Sequence, residues 1–347
     1  MGTTGCSEEN PFQFGERELP VCDLPSEFLT SSVPPDAIPS LIEPEMVAIG
    51  QAGSEYMEDD DRVLGVVVNG QPRAYPISIL NHHEIVMDRV EGELVAVTYC
   101  PLTGSGLVFD PDFGGEELDI RVSGLLFANN LVLYDHTTGD VYGPQLSIEG
   151  KCSRFTDARL DLLPLVQTSW GQWRRLHTDT RVISIETGFL RNYAVSPYGD
   201  YDALSNDDLL FDMPTDDSRP LKERVLAIRD GEGGVGFPFA DLEQSLGDGG
   251  AINTSVAGQE TVVFWDGSAD KTAIAFHAEW QGQALTFEAS GPGAWTDLET
   301  GSTWRIDGRA TAGPLVGAQM DIRVDAYVLF WFAWRHFQPD GEVFIAS

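Results

Sequence analysis

A gapless alignment places residues 62–80, RVLGVVVNGQPRAYPISIL, on residues 224–242, RVLAIRDGEGGVGFPFADL. The Arg-Val-Leu start, the proline and the final leucine coincide, and Tyr75 lies opposite Phe237. Coincidences of this kind over one segment indicate that the chain contains an internal duplication.

Two further matches follow in the same order and at nearly the same offset. The segment DHTTGDVY at residues 135–142 matches DLETGSTW at residues 297–304. Trp173-Arg174 matches Trp334-Arg335, and an Asp and a Val follow each pair at equal distances. This spacing is too long for a solenoid repeat. We therefore predict two copies of one unit, related by a pseudo-twofold axis.

The duplication divides the chain into four parts. The first part is rich in Pro, Ser and Glu, which is typical of a flexible tether or of an arm that wraps around a domain. The predicted parts are a flexible N-terminal tether at 1–45, a first repeat at 46–188, a linker at 189–220 and a second, degenerate repeat at 221–347.

Most segments within a copy have the pattern of β-strands. Arg62–Val68 and Glu93–Tyr99 are β-branched runs bounded by turn residues. Pro76–Leu80 predicts one short helical turn, and Val166–Leu176 predicts an amphipathic helix. The copy of that helix, Val328–Phe337, is more apolar and is expected to be buried. The predicted fold class is mainly β (α+β), with a few short helices in two pseudo-symmetric β-rich repeats.

The charge of the chain excludes one class of partner. The 347 residues include 21 basic and 55 acidic ones, so the formal net charge is −34. Such a field repels nucleic acid. Salt would screen the repulsion within the chain, which indicates a halophilic protein. An acidic surface that collects cations is the alternative.

The cysteines bear on where the protein works. Thr3–Ser7 reads Thr-Thr-Gly-Cys-Ser, which is similar to the end of a lipoprotein signal and would make Cys6 a lipid anchor. Cys6 in a loose tail is the alternative. The longest apolar run, Ala326–Trp334, is too short for a membrane helix. We expect an extracytoplasmic protein without a transmembrane segment, at the cell surface if Cys6 is lipidated.

One predicted hairpin brings chemically active side chains together. Residues 84–90 and 93–100 flank Glu91-Gly92, a plausible two-residue hairpin loop. Pairing outward from that loop sets Ile85 against Thr98 and, further on, His83 against Cys100. Directly opposed residues have Cβ atoms about 5 Å apart. A histidine and a cysteine at that separation can share a metal ion or form a thiolate–imidazolium pair.

Several segments of the chain resemble one family. The most specific are the His-Glu block and the Tyr-Cys-Pro-Leu block. The segments are Ala74–Val86, Val97–Gly104, Ser123–Leu126, Leu131–Asp135, Thr187-Gly188 and Pro197–Tyr201. Together they are similar to the bacterial and archaeal family called domain of unknown function 3179, and the acidic composition indicates a haloarchaeal member.

What the resemblance implies is limited, because the family is named for its missing function. Many of its members have a second cysteine where this chain has Thr103, and Met87 stands where asparagine is usual. The residues 142–145, Tyr-Gly-Pro-Gln, replace a Trp-Ser-Gln motif. Chemistry that needs a second thiol beside Cys100 is therefore not expected.

The second copy lacks the thiol and imidazole groups of the first. Gln244-Ser245-Leu246 stands for His82-His83-Glu84, and Asp266 stands for Cys100 once Tyr99 is set on Trp265. His136 and Cys152 are replaced by Leu298 and Ala310. This difference is expected if the first copy carries the active site and the second copy only supports the structure.

Three functions stay open at this point. Cys100 and His83 would bind copper or zinc, with His82 or His136 as completing ligands, since thiolate and imidazole suit these ions. Alternatively, Cys100 is the nucleophile or redox thiol of an enzyme, with Glu84 orienting His83. The third possibility is a non-catalytic surface module that binds a protein partner or a cell-wall component. Its contact residues would be the tyrosines of the linker, Tyr193, Tyr198 and Tyr201, if these do not pack between domains.

Overall fold

The computed structural model of the protein describes residues 24–231, 233–268 and 271–346. The fold in this part of the chain is mainly β with four short α-helices, which confirms the predicted fold class. None of these helices has the length and the hydrophobicity to cross a bilayer.

The described chain before the linker forms an N-terminal arm and the first copy. The arm carries β1 (Leu29–Ser31), β2 (Leu41–Ile42) and β3 (Met46–Ala48). The first copy carries β4 (Arg62–Val68), β5 (Gln71–Pro76), α1 (Ile77–His83), β6 (Ile85–Val90), β7 (Glu93–Cys100), β8 (Ser105–Phe109), β9 (Asp112–Phe113), β10 (Glu116–Glu117), β11 (Ile120–Phe127), β12 (Asn130–Asp135), β13 (Val141–Pro144), β14 (Val166–Ser169), α2 (Trp170–Leu176) and β15 (Arg181–Ile183).

The second copy repeats this order of elements. It carries β16 (Arg224–Asp230), β17 (Gly233–Pro238), α3 (Phe239–Leu246), β18 (Gly249–Val256), β19 (Gln259–Asp266), β20 (Thr272–His277), β21 (Glu279–Trp280), β22 (Gln283–Ala284), β23 (Phe287–Gly291), β24 (Ala294–Asp297), β25 (Thr303–Arg305), β26 (Ala310–Ala312), β27 (Ala326–Phe330), α4 (Trp331–Phe337) and β28 (Glu342–Val343).

The strand orders of the two copies correspond sheet by sheet. The order β14-β4-β5-β15 in the first copy has its counterpart in β27-β16-β17-β28, and in both sheets the last strand is parallel to its neighbour. The antiparallel meander β6-β7-β8 likewise has its counterpart in β18-β19-β20. The pseudo-twofold relation between the copies stays a prediction, and this common topology supports it.

The matching Asp-Xaa-Xaa-Thr-Gly segments form turns with the same side-chain contacts. The Asp135 carboxylate accepts hydrogen bonds from the backbone N–H and the hydroxyl of Thr138. Asp297 accepts the same two bonds from Thr300. An aspartate that bonds to the backbone a few residues later stabilises a turn. The aspartate of this motif therefore has a structural role in both copies.

The described part of the N-terminal segment is an arm that packs on the first copy. Strand β1 pairs with β11, β2 pairs with β6, and β3 pairs with β15, so the arm extends three sheets of that copy. Backbone pairing of this kind holds residues 29–48 in place, which favours the wrapping arm over the tether. The predicted tether also includes residues 1–23, which lie outside the described residues.

Two helix predictions have the wrong boundaries. Val166–Leu176 was predicted to be one helix, but its first four residues form β14, where β-branched side chains pair with β4, and the helix begins at Trp170. The Ser169 hydroxyl caps this helix by accepting a bond from the N–H of Gln172. The predicted turn Pro76–Leu80 instead begins after Pro76 and continues to His83.

The hydrophobic core is shared between the copies. One cluster of buried residues joins Leu133 of the first copy to Trp334 of the second. Another joins Trp173 of the first copy to Phe264 of the second. Each copy therefore completes its core with side chains of the other. The residues 184–223 between β15 and β16 form no strand or helix and connect the two copies.

Candidate functional site

The β6–β7 hairpin confirms the predicted register. The two strands pair antiparallel across Glu91-Gly92, with Val90 opposite Glu93 and Ile85 opposite Thr98. Both turn residues have positive φ, 52° and 94°. Two-residue hairpin loops favour such residues because their backbone twist matches that of the strands.

The extension of this register to His83 is wrong. Helix α1 ends at His83, and Glu84 follows it with a φ of 57°. The Glu84 carbonyl oxygen still accepts a 2.7 Å bond from the N–H of Tyr99, so the hydrogen bonding between the strands reaches Glu84, whereas His83 belongs to the helix. The His83 ring has other partners. Its Nδ1 lies 2.7 Å from the carbonyl oxygen of Pro39, and its Nε2 lies 2.7 Å from the hydroxyl of Tyr193. His83 is therefore not the cross-strand neighbour of Cys100.

The partners of His83 fix its protonation state. The Pro39 carbonyl can only accept, so Nδ1 carries the proton and Nε2 accepts the bond from Tyr193. The Tyr193 hydroxyl also lies 2.5 Å from the hydroxyl of Thr187. Burial lowers the pKa of His83 to about 4. The imidazole is thus neutral at pH 7 and joins helix α1 to the arm and to the linker.

The other two predicted ligands lie in separate places. Nε2 of His82 is 3.1 Å from the carbonyl oxygen of Val195, and Nδ1 of His136 is 3.0 Å from the Asp36 carboxylate. Among the described residues, no three His, Cys, Asp or Glu side chains lie close enough together to hold a metal ion. The ligand set predicted around Cys100 is therefore not assembled in the described part of the chain.

Cys100 is a buried thiol in a hydrogen-bonded environment. It is 1% exposed, and its Sγ lies 3.5 Å from the carbonyl oxygen of Asn129, to which it donates. Burial, and next the charge of Glu84, raise the pKa of Cys100 to about 11. The thiolate is the reactive form of cysteine. At neutral pH Cys100 is therefore protonated, which argues against a resting nucleophile.

Glu84 is buried beside this thiol. The Tyr198 hydroxyl donates a hydrogen bond of 2.9 Å to its Oε1. Burial raises the pKa of Glu84 to about 7, although the bond from Tyr198 acts in the opposite direction. Tyr193 is part of a buried cluster with side chains of the first copy, and Tyr198 and Tyr201 pack against a cluster that contains side chains of both copies. They therefore have the packing role that was one of their two predicted functions.

The remaining cysteines differ in state. Cys152 is disulfide-bonded, whereas Cys100 is a free thiol. Cys6, the predicted lipid anchor, and Cys22 lie outside the described residues.

A cavity of about 680 Å³ lies between the two copies. Strands β4 and β7 line it from the first copy, β16, α3 and β27 line it from the second, and the linker reaches its rim. Its lining includes Arg62, Tyr99, Leu204, Lys222, Arg224 and Phe330. The volume is within the usual range of small-molecule sites, about 300–1,000 Å³.

Arg62 and Arg224 are the first residues of the duplicated motif, and both line this cavity. Neither guanidinium makes a hydrogen bond or an ion pair with any described residue, and Arg224 lies over the ring of Phe239 at 4.8 Å. Burial lowers the pKa of Arg62, and burial followed by the charge of Arg62 lowers the pKa of Arg224 to about 9. A guanidinium keeps its proton in proteins at neutral pH, so both side chains are cations without a bonded anion among the described residues.

Other charged groups at the cavity are paired within the protein. Lys222 donates a 2.5 Å bond to the carbonyl oxygen of Asp208 and lies 3.8 Å from the centre of the Tyr201 ring. Lys271 pairs with the carboxylate of Glu243 at 2.9 Å. Arg219 likewise has carboxylate partners. The arginine pair thus carries the positive charge that the described protein leaves without a bonded partner at this place.

The equivalent helices also meet at the cavity. Ile77, the first residue of α1, and Phe239, the first residue of α3, line it together. They occupy the same position in the gapless alignment of the duplicated motif, as Arg62 and Arg224 do. Two pairs of equivalent residues at one cavity are expected where a pseudo-twofold axis passes. Guanidinium groups bind carboxylate and phosphate oxygens in a bidentate manner, so the chemistry of this place fits an oxyanion.

A family model described as "Protein of unknown function (DUF3179)" matches residues 35–341. The chain belongs to this family. The DUF3179 match includes most of the described arm, both copies and the cavity between them. No curated protein and no solved structure matches the chain.

Sequence reasoning missed the arginine pair in this DUF3179 protein. Arg62 and Arg224 were visible as the first coinciding residues of the alignment. The candidate site residues predicted from the sequence were instead those that the second copy lacks, such as Cys100. An arginine at the same position in both copies of a strongly acidic chain was the signal that could have found the cavity.

Proposed function

We propose that the protein is a binding protein for small anionic molecules, which it holds in the cavity between the two copies. The observation that carries this proposal is the pair Arg62 and Arg224, two guanidinium groups at equivalent positions that line one cavity without a bonded anion among the described residues. This function is non-catalytic, as in the third function predicted from the sequence, but its ligand is a small anion and not a protein partner or a cell-wall component.

The composition of the chain makes these two arginines informative. With 55 acidic residues against 21 basic ones, carboxylates are abundant enough to pair with every arginine. A partly buried charge without a partner lowers the stability of the folded protein. An anionic ligand would supply the missing partner, and its binding would recover that free energy.

The geometry gives less support to the other two predicted functions. A copper or zinc centre needs thiolate and imidazole ligands around one point, but His83 and Cys100 have separate partners. A cysteine enzyme needs a thiolate, and the pKa of Cys100 is raised to about 11. Elemental analysis of protein purified without chelators tests the metal centre directly, with stoichiometric copper or zinc as the supporting result.

The test of the proposed function is calorimetric titration at fixed salt with three probes: inorganic phosphate, benzoate and phenyl phosphate. We expect at least one of them to bind, and Arg62→Gln and Arg224→Gln each to weaken it by about 10- to 100-fold, as the loss of a charged hydrogen bond predicts. Arg89→Gln is the matched control, since Arg89 is exposed and paired with Glu117 outside the cavity. A protein that binds none of the three probes overturns the proposal.

We also propose that the protein works outside the cytoplasm in a saline medium. The disulfide at Cys152 supports the location, because such bonds persist in oxidising compartments. The net charge of −34 supports the medium, since salt screens self-repulsion. A melting temperature that does not change between dilute and molar potassium chloride would contradict the halophilic part.

The lipid anchor at Cys6 remains part of this proposal and has its own test. A lipid attached through the Cys6 sulfur leaves that sulfur unable to form a disulfide. Peptide mapping without a reductant should therefore recover Cys152 joined to Cys22, the remaining candidate in the sequence. Recovery of Cys152 joined to Cys6 excludes the anchor.

A further inference from the structure

The arginine pair constrains the charge of the ligand. Arg62 and Arg224 are the first residues of equivalent strands. Tyr99 and Asp202 influence the pKa of both arginines, which indicates that the two guanidinium groups lie in one region of the cavity. Asp202 is the carboxylate whose charge acts on the pKa of both arginines. It is exposed and makes no ion pair within 4 Å with either guanidinium group. Of the other two carboxylates in the lining, Glu223 is paired with Arg219 and Glu243 with Lys271. Two positive charges therefore line the cavity where Asp202 is the one lining carboxylate without an ion pair among the described residues.

The number of donors constrains the ligand further. Each guanidinium has five N–H groups in a planar fork, and Arg62 and Arg224 use none of them in hydrogen bonds to described residues. The hydroxyl of Tyr99 is likewise without a hydrogen-bond partner among the residues that the structure describes. A planar carboxylate offers two oxygens in one plane, whereas a phosphate group offers three terminal oxygens in different directions. Donors that approach from both copies fit the phosphate group better.

The walls of the cavity show that this group is only part of the ligand. Ile77, Phe239 and Phe330 line the cavity with apolar surface. Leu204 of the linker joins them at the rim, although it is 60% exposed. A cavity of about 680 Å³ is far larger than one phosphate group needs. The ligand therefore has an organic body that contacts these walls.

We propose that the cavity selects organic phosphate monoesters, with the dianionic phosphate between Arg62 and Arg224 and the organic body against Leu204 and Phe330. This inference rests on the proposed function and names the chemical class of its ligand. The phosphate binds as a group and no bond to it is broken. Both arginines contribute, because a doubly charged group is neutralised only by the pair.

The three calorimetric probes separate the two parts of this inference. Phenyl phosphate has both the dianionic group and the aromatic body, benzoate has the body with one charge, and inorganic phosphate has the group without the body. We expect phenyl phosphate to bind at least 10-fold more tightly than either of the others. If benzoate binds as tightly as phenyl phosphate, the selection for a dianion is wrong. If inorganic phosphate does so, the role of the organic body is wrong.

Two variants with opposite expected effects complete the test. Leu204→Ala should weaken phenyl phosphate by about 3- to 10-fold and leave inorganic phosphate unchanged, since it removes apolar contact at an exposed position. Asp202→Asn should tighten both phosphates, because it removes a carboxylate that competes for the arginines. An equal loss for both phosphates in Leu204→Ala, or no gain in Asp202→Asn, overturns the placement of the ligand. Binding of benzoate alone would leave the proposed function intact and overturn this inference.

Discussion

At the end of β7 the first copy has Cys100, and at the end of β19 the second copy has Asp266. Cys100 donates to the carbonyl oxygen of Asn129 within its own copy. Asp266 instead accepts a 2.8 Å bond from the side chain of Gln172, which belongs to the other copy. Each of the two side chains thus has a hydrogen-bond partner in its own surroundings. The difference between the copies at this position therefore follows from local packing, and it is weak evidence for a lost active site.

The positions that have the same residue in both copies are better evidence for a functional site. Arg62 and Arg224 have the same place in β4 and β16, and both line the cavity between the copies. Arg224 lies over the ring of Phe239 in its own copy, but neither arginine has a hydrogen-bonded or ion-paired partner among the described residues. An arginine that recurs at equivalent positions of one cavity, without a bonded anion among the described residues, is the better indication of binding.

The largest expected effect comes from separating the copies. We expect residues 46–188 and residues 221–347, expressed as separate chains, to lose cooperative unfolding, because buried clusters such as that around Leu133 and Trp334 contain side chains of both. Circular dichroism during thermal unfolding measures this, and the full chain is the control. A sharp transition in either fragment alone would show that its core is complete without the other copy.

Exchanging the residues at the matching position should have the next largest effect. Cys100→Asp places a carboxylate beside the buried Glu84 and should cost about 3 kcal/mol or more. Asp266→Cys removes the acceptor of Gln172 and of the Ser268 N–H, and should cost about 1–2 kcal/mol. Urea unfolding measures both, with Cys100→Ser as the conservative control. Equal costs for the two exchanges would mean that the positions have the same environment.

The pH dependence of stability should separate His83 from its neighbour Glu84, neither of which has a counterpart of its own type in the second copy. The folded-state pKa of His83 is about 4, below its ordinary 6.5, so its contribution is present above pH 6.5 and is lost as the pH falls towards 4. The folded-state pKa of Glu84 is about 7, above its ordinary 4.5, so its contribution is present below pH 4.5 and is lost as the pH rises through 7.

We therefore expect Glu84→Gln to remove a loss of up to about 3 kcal/mol in unfolding free energy between pH 4.5 and pH 7. Urea unfolding at several pH values measures the change. Glu93→Gln, at an exposed position of the same hairpin, is the matched control and should leave the profile unchanged. A profile that Glu84→Gln does not alter would show that this carboxyl group has the same pKa in the folded and unfolded chain.

The smallest expected effect is a gain in stability in the protein without ligand. Arg62→Gln and Arg224→Gln should each raise the unfolding free energy by about 0.5–1.5 kcal/mol, because each removes a partly buried charge without a bonded partner. Arg89→Gln removes a paired surface charge and should lower stability slightly. A loss of stability in one cavity variant alone would show that the two arginines are not equivalent.

The sequence predicted those parts of the fold that local signals determine. The Glu91-Gly92 turn set the hairpin register correctly as far as Ile85 and Thr98, since a two-residue loop allows only one pairing. The error at His83 came from the end of helix α1, because nothing in the sequence shows that Glu84 adopts a φ of 57°. The boundary error at Val166 has the same origin, since the pairing of β14 with β4 is a tertiary contact.

The candidate site could not be predicted in the same way. Arg62 and Arg224 are 162 positions apart in the alignment, and only the packing of one copy on the other brings them to one cavity. The residues that sequence reasoning selected were recognised by type, as thiol, imidazole and carboxylate. Their partners, such as the carbonyl oxygens of Pro39 and Asn129, are backbone atoms that carry no signal in the residue names.

The connection between the copies, residues 184–223, determines how the protein behaves on dilution. Two separate chains that share their cores would dissociate at low concentration, because their stability depends on the concentration of each chain. A covalent connection makes the encounter of the copies intramolecular, so their association does not depend on the protein concentration. The shared cores around Leu133 and Trp173 therefore stay intact however far the protein is diluted.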